Sequence, residues 1–271
     1  MTPEHSPLGK SSAYVDLYTP DLLFPIPRKA KRDEIGVPDA LPFHGYDIWN
    51  AYEISWLNQK GKPIVATAEI VIPANSACII ESKSFKLYLN SFNNTHFDSE
   101  ERVRNHLIED LSRAAGATVS VTFISLSVEN AAFSALNGTY LDNIDVTVHE
   151  YTTNPALLST EHIVISETVH SHLLKSNCLV TGQPDWGSVE IDYTGQKINH
   201  EGLLRYLISF RNHNEFHEQC VERIFMDIMR QCNPTELTVY ARYTRRGGLD
   251  INPFRSTQPY QVTRNPRLLR Q

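Results

Sequence analysis

Apolar and polar positions along this chain follow two periods, and those periods recur in the same order twice. Ile64 to Ile72 is a β-branched run that reads as a strand. From Glu100 to Ala115 the apolar positions Val103, Leu107, Ile108 and Leu111 fall at helical spacing. Gly116 closes that helix, and Thr118 to Phe123 alternates as a strand. The same order returns downstream. Val189 to Tyr193 reads as a strand. Phe216 to Cys232 reads as a helix with Val221, Ile224, Phe225, Ile228 and Met229 on its apolar face. Leu237 to Tyr243 alternates again. Between the two sets, Leu141 to Glu167 is strand-like. Strands flank helices without a regular β-α-β alternation, which predicts an α+β class with antiparallel sheets covered by helices.

The recurrence extends to residue identity. Leu87-Tyr88-Leu89-Asn90-Ser91-Phe92 matches Arg205-Tyr206-Leu207-Ile208-Ser209-Phe210 at an offset of 118 positions. Gly61-Lys62-Pro63 matches Gly182-Gln183-Pro184 at an offset of 121. A duplicated module is the reading such self-similarity calls for. The expected organisation is an N-terminal arm over 1–40, a first module over 41–140 and a second over 141–271. The arm ends in the basic cluster Arg28-Lys29-Ala30-Lys31-Arg32, which reads as solvated surface; Tyr14, Leu17 and Tyr18 would pack it down. Where the halves differ, the chemistry separates. Cys178 aligns with Leu57 and Asp185 with Ile64, so only the second half has a thiol and a carboxylate there. His217-Glu218 aligns with Ser99-Glu100. Conversely, Glu81-Ser82-Lys83-Ser84 aligns with Asn199-His200-Glu201-Gly202, so the charged patch belongs to the first half.

Composition narrows the function classes. The chain has 271 residues, 41% hydrophobic and 21% charged, the profile of a globular protein with a sizeable core. A net charge of −6 supplies no field that would attract nucleic acid. No apolar run reaches the roughly 18 residues of a membrane span. The first residues carry no secretory pattern. Four irregularly spaced cysteines, Cys78, Cys178, Cys220 and Cys232, fit a reduced cytoplasmic protein better than a disulfide framework.

Four clusters carry candidate chemistry. Cys178 and Asp185 bracket a Gly-Gln-Pro turn that can fold the carboxylate back toward the thiol. A thiol attacks as thiolate, and a neighbouring carboxyl group helps by moving the proton. Cys178 read alone is equally a small buried hydrophobe, and Asp185 alone is a turn residue. Asn214 is a candidate helix N-cap. His217 and Glu218 would then lie in the first turn, where a carboxylate can read paired N–H donors of a purine-like ring; ordinary helix-terminal charge reads the same way. Glu81 to Tyr88 mixes one acid, two lysines and two serines, suited to an anionic cofactor or to a solvated strand-to-helix link. Arg245-Arg246-Gly247-Gly248 is a phosphate-binding candidate or a basic turn. No dinucleotide or P-loop glycine pattern occurs, and no cysteines and histidines fall at zinc spacing.

Taken together, Glu81-Ser82-Lys83-Ser84-Phe85-Lys86-Leu87-Tyr88, Cys178 with Asp185, and His217-Glu218 resemble the QueF family of NADPH-dependent 7-cyano-7-deazaguanine reductases, in its long two-module form. The resemblance covers nearly the whole chain, with no departure at a functional position. It implies tandem tunnelling-fold (T-fold) modules that assemble into barrels, as at least a homodimer. It implies that Cys178 attacks the nitrile to form a thioimide, that Asp185 donates the proton, and that His217 is a second proton carrier. Glu218 with His217, and Ile80, Glu81 and Ser82, would bind the deazaguanine. Ser82, Lys83, Arg246 and Gly247 would bind NADPH. The implied reaction is the four-electron reduction to 7-aminomethyl-7-deazaguanine, in queuosine synthesis for tRNA modification, on the free base and with no bound metal. Two rivals remain at this point. One is a cyclohydrolase-type tunnelling-fold enzyme acting on a pterin or GTP, which would lean on zinc. The other is a non-catalytic purine-binding module, which would need neither Cys178 nor Asp185.

Overall fold

The computed structural model describes residues 14–127, 133–259 and 265–271. The chain divides into two compact units, one of 1–30, 46–131 and 245–250, the other of 31–45, 132–244 and 251–271. No helix among the described residues is long and apolar enough to cross a membrane.

The chain enters the first unit through strand β1 (Pro25–Pro27), passes to the second along helix α1 (Lys29–Glu34), and returns within β2 (His44–Leu57). There follow β3 (Pro63–Pro73), β4 (Cys78–Ile80), helices α2 (Ser82–Asn90) and α3 (Glu100–Ala115), and β5 (Ser120–Ile124). β3 pairs antiparallel with β2 on one side and β5 on the other, while β1 pairs with β4. Along β3, Ala66, Ala68, Ile70 and Ile72 are buried and the residues between them are not, the period-two signature of a sheet with one face packed. α3 follows its pattern: Val103, Leu107 and Leu111 are fully buried. Ser99 caps its start by accepting from Arg102 N, and Gly116 ends it with φ 69°.

The second unit holds β6 (Thr139–Tyr140), β7 (Thr160–Ser171), β8 (Lys175–Asn177), β9 (Pro184–Ile198), helices α4 (His200–Ser209) and α5 (His217–Cys232), β10 (Glu236–Tyr243) and most of β11 (Leu249–Ser256). β11, β10, β9 and β7 run antiparallel in that order, and β8 forms a hairpin with β9. β6 joins β7 in parallel, the exception to the antiparallel expectation. α5 packs on β10 and β9. Its Val221, Ile224, Phe225 and Ile228 are fully buried, each contributing about 1.5–3 kcal/mol as apolar area leaves water. The α+β class with antiparallel sheets is therefore met.

The duplication is visible in hydrogen bonds as well as in letters. Tyr88 Oη donates to Asp110 Oδ2 at 2.7 Å across α2 and α3, and Tyr206 Oη donates to Asp227 Oδ2 at 2.7 Å across α4 and α5. Ser91 and Ser209 each donate to the carbonyl three residues back, of Tyr88 and Tyr206. Phe92 and Phe210 each meet their tyrosine edge-on, at 5.2 and 5.4 Å. The shared Tyr-x-x-Ser-Phe pattern is thus a locking device for a helix pair, repeated once in each unit.

Several expectations are corrected. Residues 141–159 are not a strand. Leu141–Asn143 and Pro155–Leu157 are short 3-10 turns, and the strand starts only at Thr160. The polar side chains there make turn and tertiary bonds instead: Asn154 accepts from Ala156 N within its own turn, and Asp142 accepts from Ser171 Oγ and His172 N at the end of β7. The basic cluster is not wholly solvated. Arg28 is buried against Asp47 at 2.6 Å, and Arg32 grips Glu222 through two nitrogens at 2.7 and 2.9 Å. Of the aromatic and apolar residues before them, Tyr14 and Leu17 are exposed. Of the three residues expected to pack the arm down, only Tyr18 does so, against Phe92 and Phe97, and it donates to Asp110 at 2.6 Å.

Replacing Tyr206 by Phe removes the donor from a buried carboxylate while keeping the ring. Urea unfolding should show a loss of about 1–3 kcal/mol; stability equal to the parent would show that the tyrosine–aspartate lock contributes nothing.

Candidate active site

In the β8–β9 hairpin Ser176 lies opposite Asp185 and Asn177 opposite Pro184. Opposed residues of an antiparallel pair share a face, and residues two apart on one strand do too. Ser176 and Asp185 therefore share a face, and Cys178 follows β8 directly, where the chain turns toward β9. The turn closes through Cys178 N to Gln183 O at 2.9 Å and Gly182 N to Cys178 O at 3.0 Å, with Gly182 at φ 65°, a left-handed conformation that favours glycine. Both functional side chains are buried, Cys178 at 7% and Asp185 at 3%.

His217 and Glu218 occupy the first turn of α5, as expected, but the cap is Phe216 rather than Asn214. Phenylalanine has no acceptor, so the cap works in reverse: Gln219 Oε1 accepts from Phe216 N at 3.3 Å. Asn214 is instead drawn into a parallel bridge with Asn177. His217 Nε2 stands 3.6 Å from Asp185 Oδ1, ion-pair distance when the imidazole is protonated. Its ring meets the Tyr243 ring edge-on at 4.1 Å. Tyr243 faces Gly187 across β10 and β9, where a Cβ would lie 3.2 Å from the tyrosine ring. The missing side chain of Gly187 is thus what admits Tyr243, and Tyr243 backs His217 toward Asp185. Glu218 is 3% exposed. Beside it, Gln219 Nε2 is buried with no acceptor among the described residues. Gln219 is a buried polar residue of this turn that sequence reasoning did not single out; its N3 position in the helix was the available signal.

A charged clamp fixes the hairpin to the helix. Arg223 Nε and Nη2 donate to the two oxygens of Glu215 at 3.0 and 2.7 Å, and His213 Nε2 lies 2.9 Å from Oε2. The backbone on either side of Asn214 holds the residue next to Cys178: Asn177 N donates to His213 O, and Glu215 N donates to Asn177 O, at 2.8 and 3.1 Å. Burial pushes the Glu215 carboxyl up, but the bonds from His213 and Arg223 outweigh it and leave it below its ordinary value. His213, Glu215 and Cys220 also have ligand atoms within 4.8 Å of one another. Arg223 already fills the place of a cation there, and burial holds the Cys220 thiol well above its usual range, disfavouring a thiolate ligand.

The remaining predicted residues belong to the first unit. Ile80 ends β4, and Glu81 caps α2, its two oxygens accepting from Lys83 N at 2.7 Å and Ser84 N at 2.8 Å. Burial raises the Glu81 carboxyl despite those bonds and the lysines nearby. Ser84 donates to Glu81 O and accepts from Phe24 N, while Phe85 and Tyr88 are buried. The signature thus separates into scaffold positions and the half-exposed Ser82, Lys83 and Lys86. Arg246 and Gly247 lie in the turn before β11. It is closed by Arg246 N to Leu249 O at 2.9 Å, with φ of 54° at Gly247 and 76° at Gly248. Positive φ at both central residues defines a type I′ turn, which glycine adopts freely. A cavity of about 250 Å³ adjoins it, lined by Glu53, Lys86, Asn90, Asn93, Gly247 and Gly248. A lysine, a neighbouring arginine and the glycine backbone form a donor set that fits a phosphate-bearing group, with Lys86 packed against Gly247 and the Glu53 carboxylate against Gly248.

Two family models match the chain. One, described as nitrile reductase, 7-cyano-7-deazaguanine-reductase N-term, covers residues 14–123; the other, QueF-like protein, covers 184–261. Among curated relatives, the chain is 62% identical over 259 residues to the NADPH-dependent 7-cyano-7-deazaguanine reductase of Cupriavidus necator, covering 94% of each. It is 60% identical over 274 residues to that of Cupriavidus metallidurans, covering 99% of each. For that of Polaromonas sp. the identity is 58% over 273 residues, covering 100% of this chain and 99% of the relative. An apo archaeosine synthase QueF-Like structure aligns over 36% of this chain and 96% of its own, at 14% identity and TM-score 0.31, too slight a likeness to bear on the fold. The site is that of an oxidoreductase family. The chain belongs to the QueF family of NADPH-dependent 7-cyano-7-deazaguanine reductases.

The Glu215 shift has a pH consequence. A carboxyl whose folded value is depressed adds stability that is full above its unfolded value, about 4.3, and is lost as pH falls through the folded one. Glu215→Gln should therefore flatten the acid limb of a stability–pH curve below about pH 4.3, with the clamp's contribution missing at neutral pH. An acid limb identical to the parent's would contradict the shift. Gly187→Val should crowd Tyr243 and displace His217, lowering turnover; an unaltered rate would show that this backing of the imidazole is dispensable.

Proposed function

We propose that this chain reduces the nitrile of 7-cyano-7-deazaguanine to 7-aminomethyl-7-deazaguanine with NADPH, through a covalent thioimide on Cys178. The observation that carries the reading is a buried thiol and a buried carboxyl group flanking one hairpin turn, with a histidine 3.6 Å from the carboxyl. A module that only binds a purine needs none of these three.

Cys178 Sγ adds to the nitrile carbon while Asp185 delivers a proton to the nitrile nitrogen, giving the thioimide. Splitting the reduction this way replaces one inert triple bond by two activated carbon–nitrogen double bonds. NADPH, when bound, supplies a hydride for each of two reductions, four electrons in all. After the first, Cys178 is expelled as thiolate and the carbon–nitrogen double bond re-forms as an imine. Asp185 and His217 return the protons each step requires, His217 because its ordinary pKa lies near neutrality. Glu218, with His217, accepts hydrogen bonds from the deazaguanine, and Ile80, Glu81 and Ser82 are further substrate residues. Ser82, Lys83, Arg246 and Gly247 are assigned to NADPH. Glu81 binds its own helix with both oxygens, so its contribution to the base uses the lone pairs that the cap leaves over. The net charge of −6 supports action on the free base rather than on RNA. The division into tandem T-fold modules, a cytoplasmic location and a homodimer complete the reading.

Mixing the protein with 7-cyano-7-deazaguanine in the absence of NADPH should add the substrate mass to the intact protein. Cys178→Ala should abolish the adduct, and an unmodified parent protein would sink the mechanism. With NADPH added, two cofactors should be oxidised per nitrile consumed; a ratio of one would refute the four-electron assignment. Lys83→Ala should weaken NADPH binding by about tenfold, as loss of a charged phosphate contact does. An unchanged affinity would remove Lys83 from the cofactor site.

A further inference from the structure

We infer that Tyr52 is a positioning residue for NADPH, acting through the Arg245–Gly248 turn; the inference rests on the assignment of that turn to the cofactor. Between Ala51, opposite Ala68, and Ile54, opposite Ala66, β2 carries one residue more than β3. This bulge turns Tyr52 out of the ladder, and bulges commonly re-aim a side chain beside a functional site. Tyr52 then touches the turn at two points, Arg245 and Gly248, and the strand that leaves it at a third, Asp250. Its ring lies under the Arg245 guanidinium, 4.2 Å from the centroid. Its N–H donates to Gly248 O at 2.9 Å. Its hydroxyl donates at 2.6 Å to Asp250 Oδ2, the buried carboxylate whose other oxygen accepts from Asn50 Nδ2 at 2.8 Å. Arg246 and Gly247 are therefore bracketed on both sides by contacts to one side chain and its own backbone.

The bracket answers a specific need. Gly247 and Gly248 satisfy the type I′ turn but have more conformational freedom to lose than any other pair of residues. A turn of two glycines does not order itself around a phosphate. Ordering before binding moves that entropy cost out of the binding step, which strengthens affinity without a new ligand contact. Tyr52 supplies the ordering while its own atoms face Arg245, Gly248 and Asp250.

The test separates cofactor affinity from the covalent step. Tyr52→Leu should raise the NADPH dissociation constant about tenfold, read by titration calorimetry, while the Cys178 adduct forms at the parent rate. Tyr52→Phe retains the ring and the main-chain bond and should lose about threefold, the worth of one modest hydrogen bond. NADPH affinity unchanged in Tyr52→Leu would overturn the inference. So would parallel loss of adduct formation, which marks a general structural role. Should Tyr52→Leu fail to fold, the Tyr52→Phe affinity, read against its adduct formation, decides in the same way. Arg246→Ala serves as the independent control. If it leaves NADPH affinity unchanged, the turn is not the cofactor's and the underlying assignment fails, whatever Tyr52 does.

Discussion

Arg223 holds the Glu215 carboxylate in two parallel hydrogen bonds, and the candidate site of the second unit is organised around that part-buried pair. Arg223 lies on α5, the helix whose first turn carries His217 and Glu218. Glu215 lies in the segment that brackets Asn177, the residue before Cys178. One ion pair therefore sets the register between a helix terminus and a hairpin that are separate in sequence. A pair with its carboxylate buried and its guanidinium partly exposed adds little net stability, because desolvation offsets much of the attraction. Its worth lies in geometry: a fork-on-carboxylate contact tolerates little rotation or slip.

Packing completes what the ion pair begins. Gly187 leaves the space that Tyr243 fills, Tyr243 supports His217, and His217 reaches Asp185. Each link is a steric or short polar contact with few alternatives in a dense interior. The first unit uses the same logic on different atoms. There the Glu81 side chain ends a strand and starts a helix, leaving Ser82, Lys83 and Lys86 accessible. The two halves of an ancient duplication have kept the same tyrosine–aspartate lock and diverged in what surrounds it. Stability and chemistry are thereby carried by different residues of one repeated pattern.

Local regularities were legible in the order of residues. The span of α3, its glycine stop and the strand of β3 followed from spacing alone. So did the placement of His217 and Glu218 at a helix start. Where local reading failed, a tertiary contact had overridden it. Asn214 is a good cap by type, yet its backbone is claimed by Asn177. Arg28 and Arg32 look like solvent-facing charge, yet each has a carboxylate to meet in the fold. Residues 141–159 have strand-like composition, yet Asp142 is drawn to Ser171 and His172, and Asn154 caps a short turn.

By itself the sequence determined the α+β class and the internal repeat, and it pointed to candidate groups divided between the halves, because periodicity, self-similarity and residue type are properties of order along the chain. Only the tertiary structure decided that Asp185 and His217 approach to 3.6 Å. It also decided that Glu215 is an ion-pair partner rather than a free acid, that Gln219 keeps a buried amide without an acceptor, and that a bulge brings Tyr52 to the glycine turn. Distances between residues remote in sequence depend on packing and register, and no local pattern encodes them.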